Sequence, residues 1–120
     1  MRLIEVTYGA ALSIDAYGPG FFRVGPHILK GACLITPWDA GGWGGFEDTE
    51  TLLSMAGKVD VMLIGTGREI SFIPKEFRAQ LEAADIGLDV MPSPAACRTY
   101  NVLLGEGRRI AVALLPVAQI

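Results

Sequence analysis

The second half of the chain alternates short apolar runs with helix-forming segments, and this alternation constrains the fold most. Apolar runs at 59–64, 88–91 and 109–115 have the length and composition of buried strands. The segments between them are long enough to form crossover helices. Such helices usually join neighbouring parallel strands in the right-handed sense. The pattern therefore predicts a strand–helix–strand–helix–strand unit.

Proline and glycine mark the expected ends of the two crossover helices. Pro74 suits the first residue of a helix, where its missing N–H costs nothing, and Gly87 can end that helix. Ser93 is the expected N-cap of the second helix, which should run to about Leu104. Gly105 is the expected left-handed residue that stops it.

The first half reads as antiparallel strands separated by glycine turns. The glycine of Gly25-Pro26 suits the first central position of a two-residue type II′ hairpin turn. The expected strands are 11–17, 21–24, 27–30 and 32–36. We therefore predict one α+β domain, residues 1–120, with mixed α/β character. Helices should cover one face of a mixed sheet, and the meander should extend the sheet or cover the rest.

Composition excludes several classes of function. Of the 120 residues, 51% are hydrophobic and 19% charged, and the net charge is −3 without a basic stripe. Nucleic-acid binding needs a dense basic surface, so it is not expected. No apolar run approaches the roughly 18 residues of a membrane span. The N-terminus has no signal-peptide pattern. A soluble, cytoplasmic protein is expected.

Cysteine and histidine are too few for a metal site built from local motifs. Cys33 and Cys97 are the two cysteines, and His27 is the one histidine. Without a paired spacing such as Cys-x-x-Cys, the cysteines are expected to be reduced thiols, and no metal or cofactor is predicted.

Residues 37–46 combine four glycines with aromatic rings and are predicted to form a loop. Trp38 and Trp43 have two interpretations. The rings either fold back to cap the core or face a ligand or a protein partner.

The sequence Gly65-Thr66-Gly67-Arg68 follows the end of a predicted strand, where α/β folds tend to bind ligands. Glycines there let backbone N–H groups approach an anion closely. A phosphate loop normally leads directly into a helix, whereas the following residues 69–73 look extended. The segment from Gly65 to Arg68 is therefore either a tight structural turn or a small-anion site.

The start of the second crossover helix holds the one candidate nucleophile. Cys97 falls in the second turn, where the helix dipole and the neighbouring Arg98 favour a thiolate, and Asn101 lies one turn further. A nucleophile also needs a base, and His27 is far away in sequence. The alternative is a buried structural thiol.

Four arginines of the second half could gather near strand ends and bind a carboxylate or phosphate. Scattered surface charge is the alternative. They are Arg68, Arg98, Arg108 and Arg109.

Several strings together resemble one known domain family over most of the chain. They are Gly18-Pro19-Gly20-Phe21, the string from Val61 to Arg68, Ala96-Cys97-Arg98-Thr99-Tyr100-Asn101, and Glu106-Gly107-Arg108-Arg109. This family is widespread in bacteria and archaea, and its activity is unassigned. Its mitochondrial relative is an assembly factor for respiratory complex I. The resemblance implies a compact fold of mixed sheet and flanking helices, without agreed catalytic residues, cofactor or substrate.

The leading expectation is therefore a non-enzymatic binding or assembly-factor-like protein with a protein partner. The alternative is a small-anion or small-ligand binding protein or enzyme. Its site would lie between Gly65–Arg68 and the helix start at Cys97, with Arg98 and Asn101 as further binding residues. A homo-oligomer that buries its own apolar surface is a third possibility.

Overall fold

The computed structural model describes residues 4–5 and 11–117, which form nine strands and three α-helices. The strands are β1 (Ile4–Glu5), β2 (Ala16–Gly18), β3 (Phe21–Val24), β4 (His27–Lys30), β5 (Cys33–Ile35), β6 (Asp39–Gly42), β7 (Val61–Thr66), β8 (Gly87–Met91) and β9 (Ile110–Leu115). The helices are α1 (Thr49–Leu53), α2 (Lys75–Ala83) and α3 (Ser93–Gly105). A 3₁₀ turn, Gly45–Glu47, precedes α1.

Six strands form a mixed sheet in the order β1-β6-β5-β9-β7-β8. The three strands of the second half are parallel, with β7 between β9 and β8. The other neighbouring pairs in this sheet, β1–β6, β6–β5 and β5–β9, are antiparallel. A separate three-stranded meander has the order β2-β3-β4. These findings confirm the predicted mixed α+β fold and its strand–helix–strand–helix–strand unit.

The expectation that the helices cover one face of the sheet is wrong. The chain steps from β7 outward to β8 through α2, and then crosses back to β9 on the other side of β7 through α3. Because both crossovers follow the right-handed rule, a step outward and a step back place their helices on opposite faces. The two helices thus help to enclose two separate cores.

Alternate residues of β7 belong to these two cores. Met62 and Ile64 face α1 and α2, where Leu81 is fully buried. Leu63 faces α3 and the meander, where Tyr100 is fully buried. Because β7 is covered on both faces, its sequence is a continuous apolar run without the alternation of a half-exposed strand.

The meander contains the predicted two-residue hairpin between β3 and β4. Val24 pairs with His27, and Gly25 has a φ of 59°. Pro26 keeps a negative φ, as the type II′ turn requires. The predicted strand 11–17 shortens to β2, because α3 side chains bond the backbone of residues 12–14 in place of a neighbouring strand.

The prediction of a loop over 37–46 is wrong, because the segment contains β6 and the 3₁₀ turn. The Thr36 hydroxyl accepts hydrogen bonds from the N–H groups of Trp38 and Asp39, at 3.2 and 2.9 Å. The Thr36 N–H donates to the carbonyl of Asp39 at 2.9 Å. These bonds turn the chain back, and the small residues after the turn pair with β5.

The predicted stop at Gly105 is also wrong. Gly105 is still helical, and the left-handed residue is Gly107, with a φ of 73°. Asp48 caps α1, because its carboxylate accepts from the Thr51 N–H. Hydrogen bonds lower the pKa of this carboxyl, the largest effect coming from the Thr51 hydroxyl and the next from the Gly44 N–H.

In the described ranges, no helix has the length and apolar character to cross a membrane.

Candidate functional site

Ser93 ties the glycine turn after β7 to the start of α3 and to the end of β9. Its hydroxyl donates to the Leu115 carbonyl at 2.6 Å and accepts from the Gly67 N–H at 2.9 Å. Its own N–H donates to the Gly67 carbonyl at 2.7 Å. Ser93 is fully buried. The expectation that its side chain caps α3 is wrong, because the hydroxyl makes these tertiary bonds while Pro92 takes the N-cap position.

Two glycines near this turn are required, Gly65 at the end of β7 by close packing and Gly67 by its backbone angle. A Cβ on Gly65 would stand 2.7 Å from the Ser93 hydroxyl and 2.9 Å from its Cα. Gly67 has a φ of +93°, which side-chain-bearing residues rarely adopt. Its N–H is already bonded to Ser93, so a donor that the anion interpretation needs is used within the protein. The geometry thus matches the alternative of a tight structural turn.

Thr66 also acts within this turn. Its hydroxyl donates to the Glu69 carbonyl at 2.7 Å and accepts from the Ser71 N–H at 3.2 Å. These two bonds fix the direction in which residues 69–71 leave β7. The exposed segment that follows therefore starts from an anchored position.

Tyr100 and Asn101 of α3 hold the segment that precedes β2. The Asn101 carboxamide accepts from the Ile14 N–H at 2.9 Å and donates to the Ile14 carbonyl at 2.8 Å. The Tyr100 hydroxyl donates to the Leu12 carbonyl at 2.7 Å. Burial raises the pKa of Tyr100, which keeps this donor protonated. Asn101, a predicted ligand-binding residue, thus performs the pairing that a neighbouring strand would supply.

Cys97 is buried beside these bonds, with 4% of its surface exposed. Burial raises the pKa of its thiol to about 11, although the Arg98 guanidinium partly opposes this shift. Burial, together with the nearby Cys97, raises the pKa of Cys33 to about 12. These shifts disfavour a thiolate at neutral pH, and with it the nucleophilic role considered for Cys97.

The structure separates the predicted ligand-binding residues into two groups. Cys97, Arg98 and Asn101 line a cavity of about 310 Å³ with residues 14–17. The glycines Gly65 and Gly67 instead pack at the start of α3, against Ser93. Neither they nor Arg68 line that cavity. The cavity that Cys97 lines therefore does not include the glycine turn.

The four arginines do not gather. Arg68 follows the carboxyl end of β7, whereas Arg108 and Arg109 precede the amino end of the parallel strand β9. Arg68 therefore lies at the opposite end of the sheet from Arg108 and Arg109. The Arg109 guanidinium donates to the Gly57 carbonyl at 2.7 Å and lies 3.8 Å from the Asp60 carboxylate.

The two tryptophans pack toward the α1/α2 core. Trp43 is 5% exposed, and its indole N–H donates to the Asp48 carbonyl at 3.0 Å. Its ring centroid lies 5.9 Å from that of Phe46 and 6.1 Å from that of Phe77. Trp38 is half-buried against the same core. This arrangement matches the core-capping interpretation, and it gives the partner-facing one little exposed surface.

Sequence reasoning missed an exposed apolar segment between β7 and α2. Phe72 is fully exposed, and Ile70 is 63% exposed. They border a cavity of about 770 Å³ beside the edge strand β8, which we call the β8 groove. It is lined by Ile70, Phe72, Ile73, Lys75, Arg78 and Val90. Apolar residues at 70 and 72 in an extended segment outside every predicted element were the available signal.

Comparison with a family model decides the classification, because the model matches residues 14–115. The chain belongs to the family described as "Protein of unknown function (DUF498/DUF598)". An uncharacterized protein of Rhodobacter capsulatus is 44% identical over 113 residues, 94% of this chain and 91% of that protein. The human NADH dehydrogenase [ubiquinone] 1 alpha subcomplex assembly factor 3 is 26% identical over 97% of this chain and 67% of its own length.

Solved structures of similar proteins share the fold. A Bartonella henselae protein, described as an outer membrane protein, has a TM-score of 0.81 and is 36% identical, over 92% of this chain and 99% of that one. A Bordetella pertussis protein, described as an Mth938-like domain, has a TM-score of 0.77 and 28% identity, over 99% of this chain and 94% of that one. These findings confirm the predicted family and fold.

The raised thiol pKa values predict a loss of stability at alkaline pH. An unfolded cysteine titrates near 9.0, whereas folded Cys97 titrates near 11. Between these values the unfolded chain binds fewer protons, so the free energy of unfolding should fall as pH rises from about 9 to 11. Urea denaturation across this range measures the fall. Cys97→Ser should reduce it, and alkylation of native Cys97 at neutral pH would contradict the account.

Proposed function

We propose that this chain is a non-enzymatic binding protein that holds a partner protein, in an assembly-factor-like role. The observation that carries the proposal is the exposed apolar segment at Ile70 and Phe72, which borders the β8 groove. Two large apolar side chains beside an apolar cavity form a surface that a partner can cover.

The energetics of these two side chains favour association. Full burial of an isoleucine or phenylalanine side chain contributes roughly 1.5–3 kcal/mol. In the free chain, Phe72 gains none of this contribution and Ile70 gains little, because both remain exposed. A partner that covers both side chains recovers it at the interface.

The engagement of the chemistry-bearing residues supports binding over catalysis. The hydroxyl of Ser93 and the carboxamide of Asn101 are used in internal hydrogen bonds. Burial raises the pKa of Cys97, which keeps that thiol protonated. His27 lies outside the cavity that Cys97 lines. The one histidine of the chain is therefore not placed as a base for Cys97 in that cavity.

The relatives supply the assembly-factor part of the proposal. The relative from human and its counterparts in other vertebrates are named as assembly factors of an NADH dehydrogenase subcomplex. Their similarity runs over 97% of this chain, so the groove segment lies within the matched length. By analogy, the partner of this chain would be a protein that is incorporated into a larger assembly.

A small-anion site is the second candidate function. The supporting observation is the cavity over β2, where the exposed guanidinium of Arg98 borders an opening of about 310 Å³. An arginine offers a planar pair of N–H donors to a carboxylate or a phosphate. The Asp15 carboxylate also lines this cavity and opposes an anion.

A cytoplasmic location remains part of the proposal. The Bartonella henselae relative is described as an outer membrane protein, so the location of this chain has to be measured by cell fractionation.

Replacing the exposed pair should abolish partner binding without unfolding the protein. In Ile70→Ser/Phe72→Ser, the stability change should stay within about 1 kcal/mol, because both positions are exposed surface. Val102→Ser is the matched control, because Val102 is 60% exposed on α3. The measurement is crosslinked affinity capture from native extract. The wild type and the control should retain a stoichiometric partner that the double variant loses; equal retention by all three would contradict the proposal.

The anion candidate predicts a saturable stabilisation by inorganic phosphate. At a concentration of a hundred times its Kd, a ligand that binds only the native state raises the free energy of unfolding by about 2.7 kcal/mol, and the Tm rises with it. Arg98→Gln should remove that shift, and Arg108→Gln, outside the cavity, should preserve it. A phosphate shift that is equal in all three proteins would rule out this site.

A further inference from the structure

We propose that the β8 groove receives an extended segment of the partner, which pairs with β8 as an added strand and carries both apolar and acidic side chains. This inference deepens the proposed function and rests on it. It assigns the chemistry of the partner and the mode of contact, which the exposed side chains alone do not define.

The first argument is the open edge of β8. Within the described residues, β8 pairs with β7 on one side and with no strand on the other. The Gly87 N–H donates to the Asp60 carbonyl, just before β7, at 2.9 Å. Backbone groups alternate in direction along a strand, so Asp89 and Met91 also face β7. The N–H and C=O groups of Leu88 and Val90 therefore point to the open edge.

The second argument is the position of the groove beside that edge. Leu88 and Val90 pack toward the α1/α2 core, and Val90 also lines the groove. A strand added to β8 places every second side chain on this same face of the sheet. Those side chains enter the space between Phe72 and α2. Main-chain hydrogen bonds then supply affinity and the groove supplies selectivity, as in other cases of strand addition.

The third argument is charge. The cations Lys75 and Arg78 line the groove, although the whole chain has a net charge of −3. Arg78 lies 3.4 Å from the Glu82 carboxylate, and both side chains are about half exposed. Glu69 and Glu76 are close in sequence but do not line the cavity. Carboxylates on the partner segment would therefore meet two cations at the wall of the groove.

A second copy of this chain fits the edge poorly. Asp89 is the middle residue of β8, so antiparallel pairing of two β8 strands about a two-fold axis would bring two aspartates together. Like charges directly opposite one another destabilise a strand pair. A second copy would also bring its own Lys75 and Arg78 to the interface. The partner is therefore a different protein.

Two blocked eight-residue peptides test the proposal, and both carry threonine at every second position. The positions between alternate valine with glutamate in one peptide and valine with lysine in the other, so that one face of the strand carries both apolar and charged side chains. The readout is amide hydrogen exchange and chemical shift by NMR of the whole protein. The glutamate peptide should slow exchange of the Leu88 and Val90 amides and shift Ile73 and Lys75. The two charge contacts should make it bind about fivefold more tightly than the lysine peptide. Unchanged Leu88 and Val90 amides, or equal binding of both peptides, would overturn the proposal.

Two variants separate the backbone contribution from the charge contribution. Lys75→Glu/Arg78→Glu should reverse the preference between the peptides, and Lys58→Glu, outside the groove, should preserve it. Leu88→Pro should weaken both peptides, because it removes one outward N–H. The variant should fold, because proline is tolerated where an edge N–H faces solvent. If Leu88→Pro does not fold, the charge-reversed variant and the exchange data decide the question. An unchanged preference in the charge-reversed variant counts against the proposal.

The outcomes also distinguish this inference from the proposed function. If Ile70→Ser/Phe72→Ser loses the captured partner while the peptides leave β8 unaffected, the binding surface stands and strand addition fails. Protection of Leu88 and Val90 in the free protein that rises with protein concentration would identify a second copy instead. Binding to phosphatidylglycerol vesicles through residues 70–72 without protection of β8 would identify a lipid surface instead. Both results would overturn the inference.

Discussion

The hydrogen bonds between Asn101 and Ile14 attach the segment before the meander to α3. One carboxamide satisfies both the N–H and the carbonyl of a residue in the segment that leads into the meander. The Tyr100 hydroxyl adds a third bond, to Leu12. A typical hydrogen bond contributes about 0.5–1.5 kcal/mol, so three bonds matter to a domain with a total stability of about 5–15 kcal/mol. They fix the meander against α3 and thereby close the core that surrounds Leu63.

The most recognisable string in the sequence therefore serves the fold. Cys97 and Tyr100 fill the core on the α3 side, and Asn101 replaces a missing strand partner. Ser93 performs a similar task about two turns earlier. Its hydroxyl connects the ends of β7 and β9. The residues proposed for binding lie elsewhere, at the edge strand β8 and on the segment that precedes α2. This division separates the groups that maintain the fold from the surface that meets a partner.

Local signals in the sequence predicted much of the fold. Proline and glycine positions predicted the order of the elements after residue 59 and the hairpin at Gly25. The faces taken by α2 and α3 were not predicted, because they depend on the order of the strands in the sheet. The strand β6 was missed because its glycines and alanine indicate a loop, whereas the turn at Thr36 makes the pairing possible.

The candidate site was harder to predict, for a related reason. Cys97, Arg98 and Asn101 do border one cavity, as their helical spacing suggests. Whether the Asn101 side chain is available to a ligand depends on residues 87 positions away in sequence. The exposure of Phe72 is equally a tertiary property. Local sequence cannot separate an apolar residue that packs from one that remains exposed.

The central claim is that the string around Asn101 stabilises the fold, and Asn101→Ala tests it most directly. Thr99→Ala is the control, because it removes a hydroxyl of the same helix that takes no part in these bonds. The account predicts that Asn101→Ala lowers the free energy of unfolding by about 1–3 kcal/mol and accelerates exchange of the Ile14 amide. It predicts that the control changes neither quantity to this extent. An Asn101→Ala variant with unchanged stability and unchanged Ile14 exchange would contradict the account.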